Sequence, residues 1–135
     1  MIRFDNVAVS CTNIETSKAW YMKMFDFKPG YSTYLPDIGA DFLVLKRDDL
    51  KVELISQKGS RRSETADLVP PAHVSVAYII AIVFSSDDLE ADTAALEAKG
   101  AVFVWKNLQL SDDGLKSSML RDPDGNMVNV LQCPS

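Results

Sequence analysis

A strand and helix that occur twice, 75 residues apart (Val7 to Ile82), constrain this chain more than any other feature. The clearer copy is YIIAIVFSSDDLEADTAALEAKG, Tyr78 to Gly100, an apolar run passing through a helix cap into a helix that stops on glycine. The other is VAVSCTNIETSKAWYMKMFDF near the start. Aligning the caps sets Val7-Ala8-Val9-Ser10 against Ile82-Val83-Phe84-Ser85, and Asn13-Ile14-Glu15 against Asp88-Leu89-Glu90. The offset is just over half of the 135 residues, too long for a solenoid period, so it predicts two similar halves packed together.

Bulk properties narrow the partners. A chain of 135 residues, 47% of them apolar, is enough for one domain with a real core. Nineteen acidic against fourteen basic residues give a net charge of -5, which argues against nucleic acid, because phosphate binding needs a basic face. Met1-Ile2-Arg3 leads straight into a strand pattern without a signal peptide, and the apolar run from Val76 to Phe84 is too short to span a membrane. Cys11 and Cys133 form neither a metal spacing nor a disulfide framework, so free thiols and a cytoplasmic location are expected.

Periodicity gives the order of elements. Ile2 to Cys11 alternates as a strand, with Val7 and Val9 on one face and Phe4, Asn6 and Ala8 on the other. A helix follows from about Ile14 to Phe25, then strands near Phe27 to Tyr31, Ala40 to Lys46 and Leu50 to Ser56. In the last of these Val52 and Leu54 share one face, and Lys51, Glu53 and Ile55 the other. Residues 57–72 are polar and carry Gly59 and Pro70-Pro71, as a linker would, and 73–78 either belong to that linker, taken as about 58–77, or lengthen the strand that follows. The second half has strands at Ile79 to Phe84, Ala101 to Leu110, Leu115 to Arg121 and Met127 to Gln132, with a helix ending at Lys99-Gly100. The expectation is an α+β fold of two βαβββ modules, about 1–57 and about 78–135, in one domain. A helix covers one face of each sheet, and the other apolar faces are expected to curve around a concave pocket.

In that order, AWYMKMFDF, VELI, IAIVFSSDDLEA and RDPDGNMVNV resemble the vicinal oxygen chelate superfamily of glyoxalase I, extradiol dioxygenases and bleomycin-resistance proteins. RDPDGNMVNV carries most of the match, and the resemblance covers nearly the whole chain. It implies a metal site in the concave space of the metal-dependent members, with ligands from the first, fourth, fifth and eighth strands. Carried over, these positions are Asn6, Glu53, Ala81 and Asn129. The 75-residue offset independently maps Asn6 onto Ala81, and Glu53 and Asn129 correspond within one residue.

The chemistry at these positions is depleted. Family metals take three or four His and carboxylate ligands, whereas here only Glu53 is a strong donor, Asn6 and Asn129 offer amides, and Ala81 offers a methyl group. Such a set would at most hold a hard divalent cation weakly, so no cofactor is expected. His73 lies eight residues before Ala81, about 26 Å along a strand, too far to supply the missing ligand by a register shift. It reads as a linker or strand-edge histidine. Asp122 to Asn126 reads as turn chemistry. Arg121 reaches either the pocket mouth or solvent, and Trp105, Tyr31 and Tyr34 are candidates for a cavity wall. Glu53 is either paired with Lys51, an Arg or the two amides, or the one charged group of an apolar cavity. In the second case it is a general acid or base, or an anchor for a ligand.

Two functions follow. One is a metal-independent, homodimeric binding module for a small organic molecule, its pocket including Asn6, Glu53, Ala81, Asn129 and Arg121. The alternative is an enzyme, a glyoxalase-like lyase or isomerase or a dioxygenase, using a weak metal site or Glu53 as catalytic base.

Overall fold

The structure, a computed structural model, describes residues 1–134. The chain divides into two units, Met1–Ser63 and residues 64 onward. The first contains β1 (Val7–Ser10), α1 (Ile14–Phe25), β2 (Lys28–Leu35), β3 (Ala40–Arg47) and β4 (Leu50–Gln57). The second contains β5 (Ala81–Ser85), α2 (Leu89–Ala98), β6 (Val102–Gln109), β7 (Lys116–Arg121) and β8 (Met127–Gln132), preceded by 3-10 turns at Glu64–Asp67 and Ala72–Val74. The sheets have the same order, β1-β4-β3-β2 and β5-β8-β7-β6. The fold is α+β with the βαβββ module repeated, as the duplication predicts.

The repeat extends to register. Glu53 lies opposite Ala8 of β1 and Val44 of β3. Asn129 lies opposite Val83 of β5 and Met119 of β7. Ala8 to Val83 and Val44 to Met119 are both 75 residues, while Glu53 to Asn129 is 76. The extra residue therefore falls between the third and fourth strands of the module, where β3 and β4 are joined by Asp48-Asp49 and β7 and β8 by the longer turn Asp122 to Asn126.

In the first unit, Asn13 caps α1 by accepting from the Thr16 amide at 3.0 Å, and Asp26 ends it in the left-handed region at φ 57°. The buried helix residues Ser17, Tyr21, Met24 and Phe25 recur at helical spacing, giving one buried stripe that is apolar except for Ser17. The Tyr21 ring meets Trp20 edge-on at 4.8 Å and Phe27 at 6.4 Å. Val9, Leu43, Leu45, Val52 and Leu54 are buried and share one sheet face by register. Each such side chain contributes roughly 1.5–3 kcal/mol on burial.

In the second unit, the Asp88 carboxylate caps α2, and Gln132 of β8 accepts from the Leu89 amide at 2.9 Å, tying helix start to sheet. Thr93 of α2 and Ser118 of β7 share a buried 2.7 Å hydrogen bond. Ser118, Leu120, Val128 and Val130 therefore face the helix. Gly100 takes φ 89° just beyond α2, a conformation that favours glycine.

Two expectations are corrected. β1 starts at Val7, not Ile2. Its parallel register with β4 pairs Val7 with Val52, and β4 begins at Leu50, so residues before Asp5 have no strand opposite them. Ile2 and Phe4 are accordingly 101% and 85% exposed, despite their alternation. β5 starts at Ala81 rather than Ile79 for the same reason: Ala81 pairs with Met127, the first residue of β8. The stretch expected as a linker contains two short 3-10 turns, and from Glu64 it clusters with the second unit.

Candidate functional site on the helix-free sheet faces

Alternation puts Glu53 on the face of its sheet opposite to Val52 and Leu54. Glu53 is half-buried, with Ala8 and Val44 as its cross-strand neighbours. It forms no hydrogen bond or ion pair with any described residue. Lys51, two residues before it, is taken by Asp5 at 2.5 Å. Asn6 also turns to Asp5, its amide donating to the carboxylate at 2.8 Å. The Asp5 carboxyl is held below its ordinary pKa, first by the Lys51 hydrogen bond and then by that of Asn6. Lys51 and Asn6 are thus joined through Asp5, and neither partners Glu53.

Ala81, Val83, Asn129, Met119, Ser117 and Arg121 share the helix-free face of the second sheet. Asn129 is half-buried, and its side-chain oxygen is fully buried without a hydrogen-bond partner. An unsatisfied buried polar atom costs about 1–3 kcal/mol, so the fold carries it against its own stability. Val83, beside it on β5, is 56% exposed, so the face is open at that edge.

On its other side this face is covered by the segment before β5. The Arg121 guanidinium donates to the carbonyls of Ala66, Leu68 (2.8 Å) and Gly125 (3.0 Å). It is committed to backbone carbonyls, an outcome intermediate between the pocket and solvent positions that alternation allowed. The Trp105 indole donates to Ser117 at 2.8 Å, which lays the ring along the sheet. His73 is buried and sets its ring edge-on to Trp105 at 5.9 Å. Its Nδ1 is a second buried atom without a partner. Tyr31 and Tyr34 are 64% and 58% exposed.

Glu53 lies in the first sheet, with Asn6 just before β1, and Ala81, Asn129 and Arg121 lie in the second sheet. Among the described residues, no three His, Cys, Asp or Glu side chains come together as metal ligands would. Asp122 belongs to the turn: its carboxylate accepts from the Asp124 and Asn126 amides and from the Asn126 side chain, each at 2.9 Å. Sequence reasoning gave no role to the contact between His73 and Trp105. A lone histidine just after two prolines has no periodicity to place it, and only the pairing of Trp105 with Ser117 would have marked the surface it covers. No helix is long and apolar enough to cross a membrane.

Comparisons with known proteins agree with this architecture. Residues 3–130 match the model of the Glyoxalase/Bleomycin resistance protein/Dioxygenase superfamily. A glyoxalase family protein from Enterococcus faecalis superposes with a TM-score of 0.76 at 19% identity, covering 96% of both chains. A glyoxalase I mutant from Zea mays gives 0.74 at 15% identity, covering 98% of this chain and 45% of its own. An antibiotic binding protein from a Streptomyces species gives 0.67 at 20% identity, covering 100% of this chain and 98% of its own. At these identities the likeness speaks for the fold. No curated protein matches the chain.

Proposed function

The chain belongs to the glyoxalase/bleomycin resistance protein/dioxygenase superfamily, and from that membership we propose that it is a metal-independent protein that binds a small organic molecule at the helix-free sheet face that carries Glu53. The observation that carries this reading is the donor set. One carboxylate, two amides and a methyl group stand at the four positions, which does not fit a bound transition metal. The direct cross-strand neighbours of Glu53, Ala8 and Val44, are apolar, and Lys51 and Lys46 lie farther along the same face, so Glu53 is a carboxylate set among hydrocarbon, as in a small-molecule site. The antibiotic binding neighbour supports the same direction, because its chain and this one share the fold over their full lengths. In this reading the protein is a cytoplasmic homodimer, and Glu53 is the ligand's polar contact.

A second reading has one specific support. Glu53 forms no hydrogen bond or ion pair with a described residue, so its carboxylate is left for contact with a bound molecule. That favours a glyoxalase-like lyase or isomerase, or a dioxygenase-type enzyme, with Glu53 as the base. A thermal-shift screen of small aromatic and polycyclic compounds against wild type and Glu53→Gln separates the outcomes. The binding reading expects hits whose stabilisation falls in the variant. A compound that stabilises both proteins equally removes Glu53 from recognition, and turnover of a hit that disappears in the variant establishes the enzyme.

A further inference from the structure

Ser117 and Met119 lie on the face of the second sheet that α2 does not cover, yet they are 0% and 3% exposed. Their repeat counterparts in the first sheet, Phe42 and Val44, are half-buried. Over the β6–β7 half of the second face passes a strap, residues 64–74. Arg121 holds one end of it through the Ala66 and Leu68 carbonyls, and His73 holds the other against Trp105. We propose that this strap is a lid: it occupies the second module's helix-free face in the resting protein and lifts from it as a unit, with Arg121 as the clasp, while the sheet beneath stays folded. The lid is a property of the free protein and stands apart from the small-molecule reading, which concerns the Glu53 face.

Four features separate a moving part from fixed packing. The strap is shallowly seated: of residues 64–74 only Ala66 and His73 are buried, while Val69 and Val74 are 66% and 58% exposed. So little apolar burial puts a segment at the low-stability end of a fold, where opening costs less than unfolding. The strap also keeps its own shape. The Leu68 amide donates to Thr65 at 3.2 Å, Val74 to Pro71 at 3.2 Å and Ser75 to Ala72 at 3.0 Å, so its turns close within the segment and not on the sheet. Residues 61–64 before it and 74–79 after it are exposed, which leaves room to pivot at both ends. Finally, the clasp is polar. When the strap lifts, the guanidinium and both carbonyls regain water, so the contact breaks without stranding a buried charge. The Gly125 carbonyl, in the turn after β7, still accepts from Arg121 at 3.0 Å and keeps the side chain in place for reclosing.

Methionine oxidation by dilute hydrogen peroxide, followed by mass spectrometry on the full chain, reads the opening. Met119 lies under the strap, and the fully exposed Met1 gives the unprotected rate. Amide hydrogen exchange of β7 and β8 in the same buffer gives the cost of unfolding the sheet. Met119 is expected to be protected at least about tenfold less than the most protected of those amides, and urea below the unfolding transition is expected to change its rate little. Val130→Ala, which opens a cavity on the opposite, helix-facing side, is expected to quicken β7 and β8 exchange and leave Met119 oxidation unchanged. Arg121→Ala is expected to speed Met119 oxidation at least about tenfold, the least that losing one charge-assisted hydrogen bond implies. Equal protection of Met119 and the sheet amides, or a Val130→Ala effect that speeds both alike, overturns the lid and makes the segment fixed packing. Met119 oxidation unmoved by Arg121→Ala also overturns it, because the thioether is then reached by another route. Should Arg121→Ala fail to fold, the wild-type and Val130→Ala comparisons decide on their own.

Discussion

Asn129 occupies in the second module the place that Glu53 occupies in the first. Each is on the fourth strand of its module, on the helix-free face, between a first-strand and a third-strand neighbour that are 75 residues from their counterparts. The repeat therefore sets an amide against an acid. Neither side chain has a hydrogen-bond partner at its carboxylate or buried amide oxygen. The Asn129 oxygen is buried and unsatisfied, whereas the Glu53 carboxylate lacks a protein partner but is not fully buried.

This predicts that Glu53→Val stabilises the protein. Removing a half-buried, unpartnered carboxylate from between Ala8 and Val44 is expected to raise unfolding free energy by about 0.5–2 kcal/mol in urea denaturation. A loss of stability would mean that the carboxylate has a structural partner.

Arg121 gives the opposite sign. It donates to three backbone carbonyls from two separate stretches, Ala66 and Leu68 on one side and Gly125 on the other. Arg121→Ala is expected to cost about 2–4 kcal/mol, since charge-assisted hydrogen bonds are lost and half-buried carbonyls are left behind. Hydrogen exchange should quicken over residues 64–68. Arg121→Lys is expected to recover little, because an ammonium lacks the planar fork that spans several acceptors. Full recovery by lysine would show that charge alone matters there.

The Asp122 turn is a third case. Its carboxylate gathers three donors within five residues and is buried. Asp122→Ala should destabilise by about 1–3 kcal/mol without altering ligand binding. A selective loss of binding at unchanged stability would move this residue from the turn into the site.

The Asp5 pair predicts a pH effect. The folded Asp5 carboxyl sits below its ordinary pKa because of Lys51, so the pair contributes stability above the unfolded aspartate value and loses it as pH falls through the lower folded value. Asp5→Asn should therefore lower Tm slightly near neutral pH, with the gap to wild type closing in strong acid. The effect is small because the pair is exposed and screened. A gap that widens on acidification would contradict the assignment.

Much of this was legible in the chain. The two caps at Asn13 and Asp88, the stop at Gly100 and the alternation of Val52, Glu53 and Leu54 depend on local stereochemistry, and they predict helices and faces correctly. The equivalence of Glu53 and Asn129 followed from the 75-residue repeat. Strand starts were not legible, because Phe4 and Ile79 alternate as well as their neighbours, and only the register with β4 and β8 decides where pairing ends. The covering of the second sheet by His73 and by the carbonyls at Ala66 and Leu68 was equally hidden. It depends on long-range contacts of a polar stretch whose composition signals only a connection.

The most direct test of the central claim, that the four family positions here are too poor in donors to hold a transition metal, is elemental analysis of protein purified without a metal-chelating tag. The account predicts zinc, nickel, iron and manganese well below one atom per chain, and ligand binding unchanged by chelator. One transition-metal atom per chain, removed by chelator together with binding or activity, would contradict it.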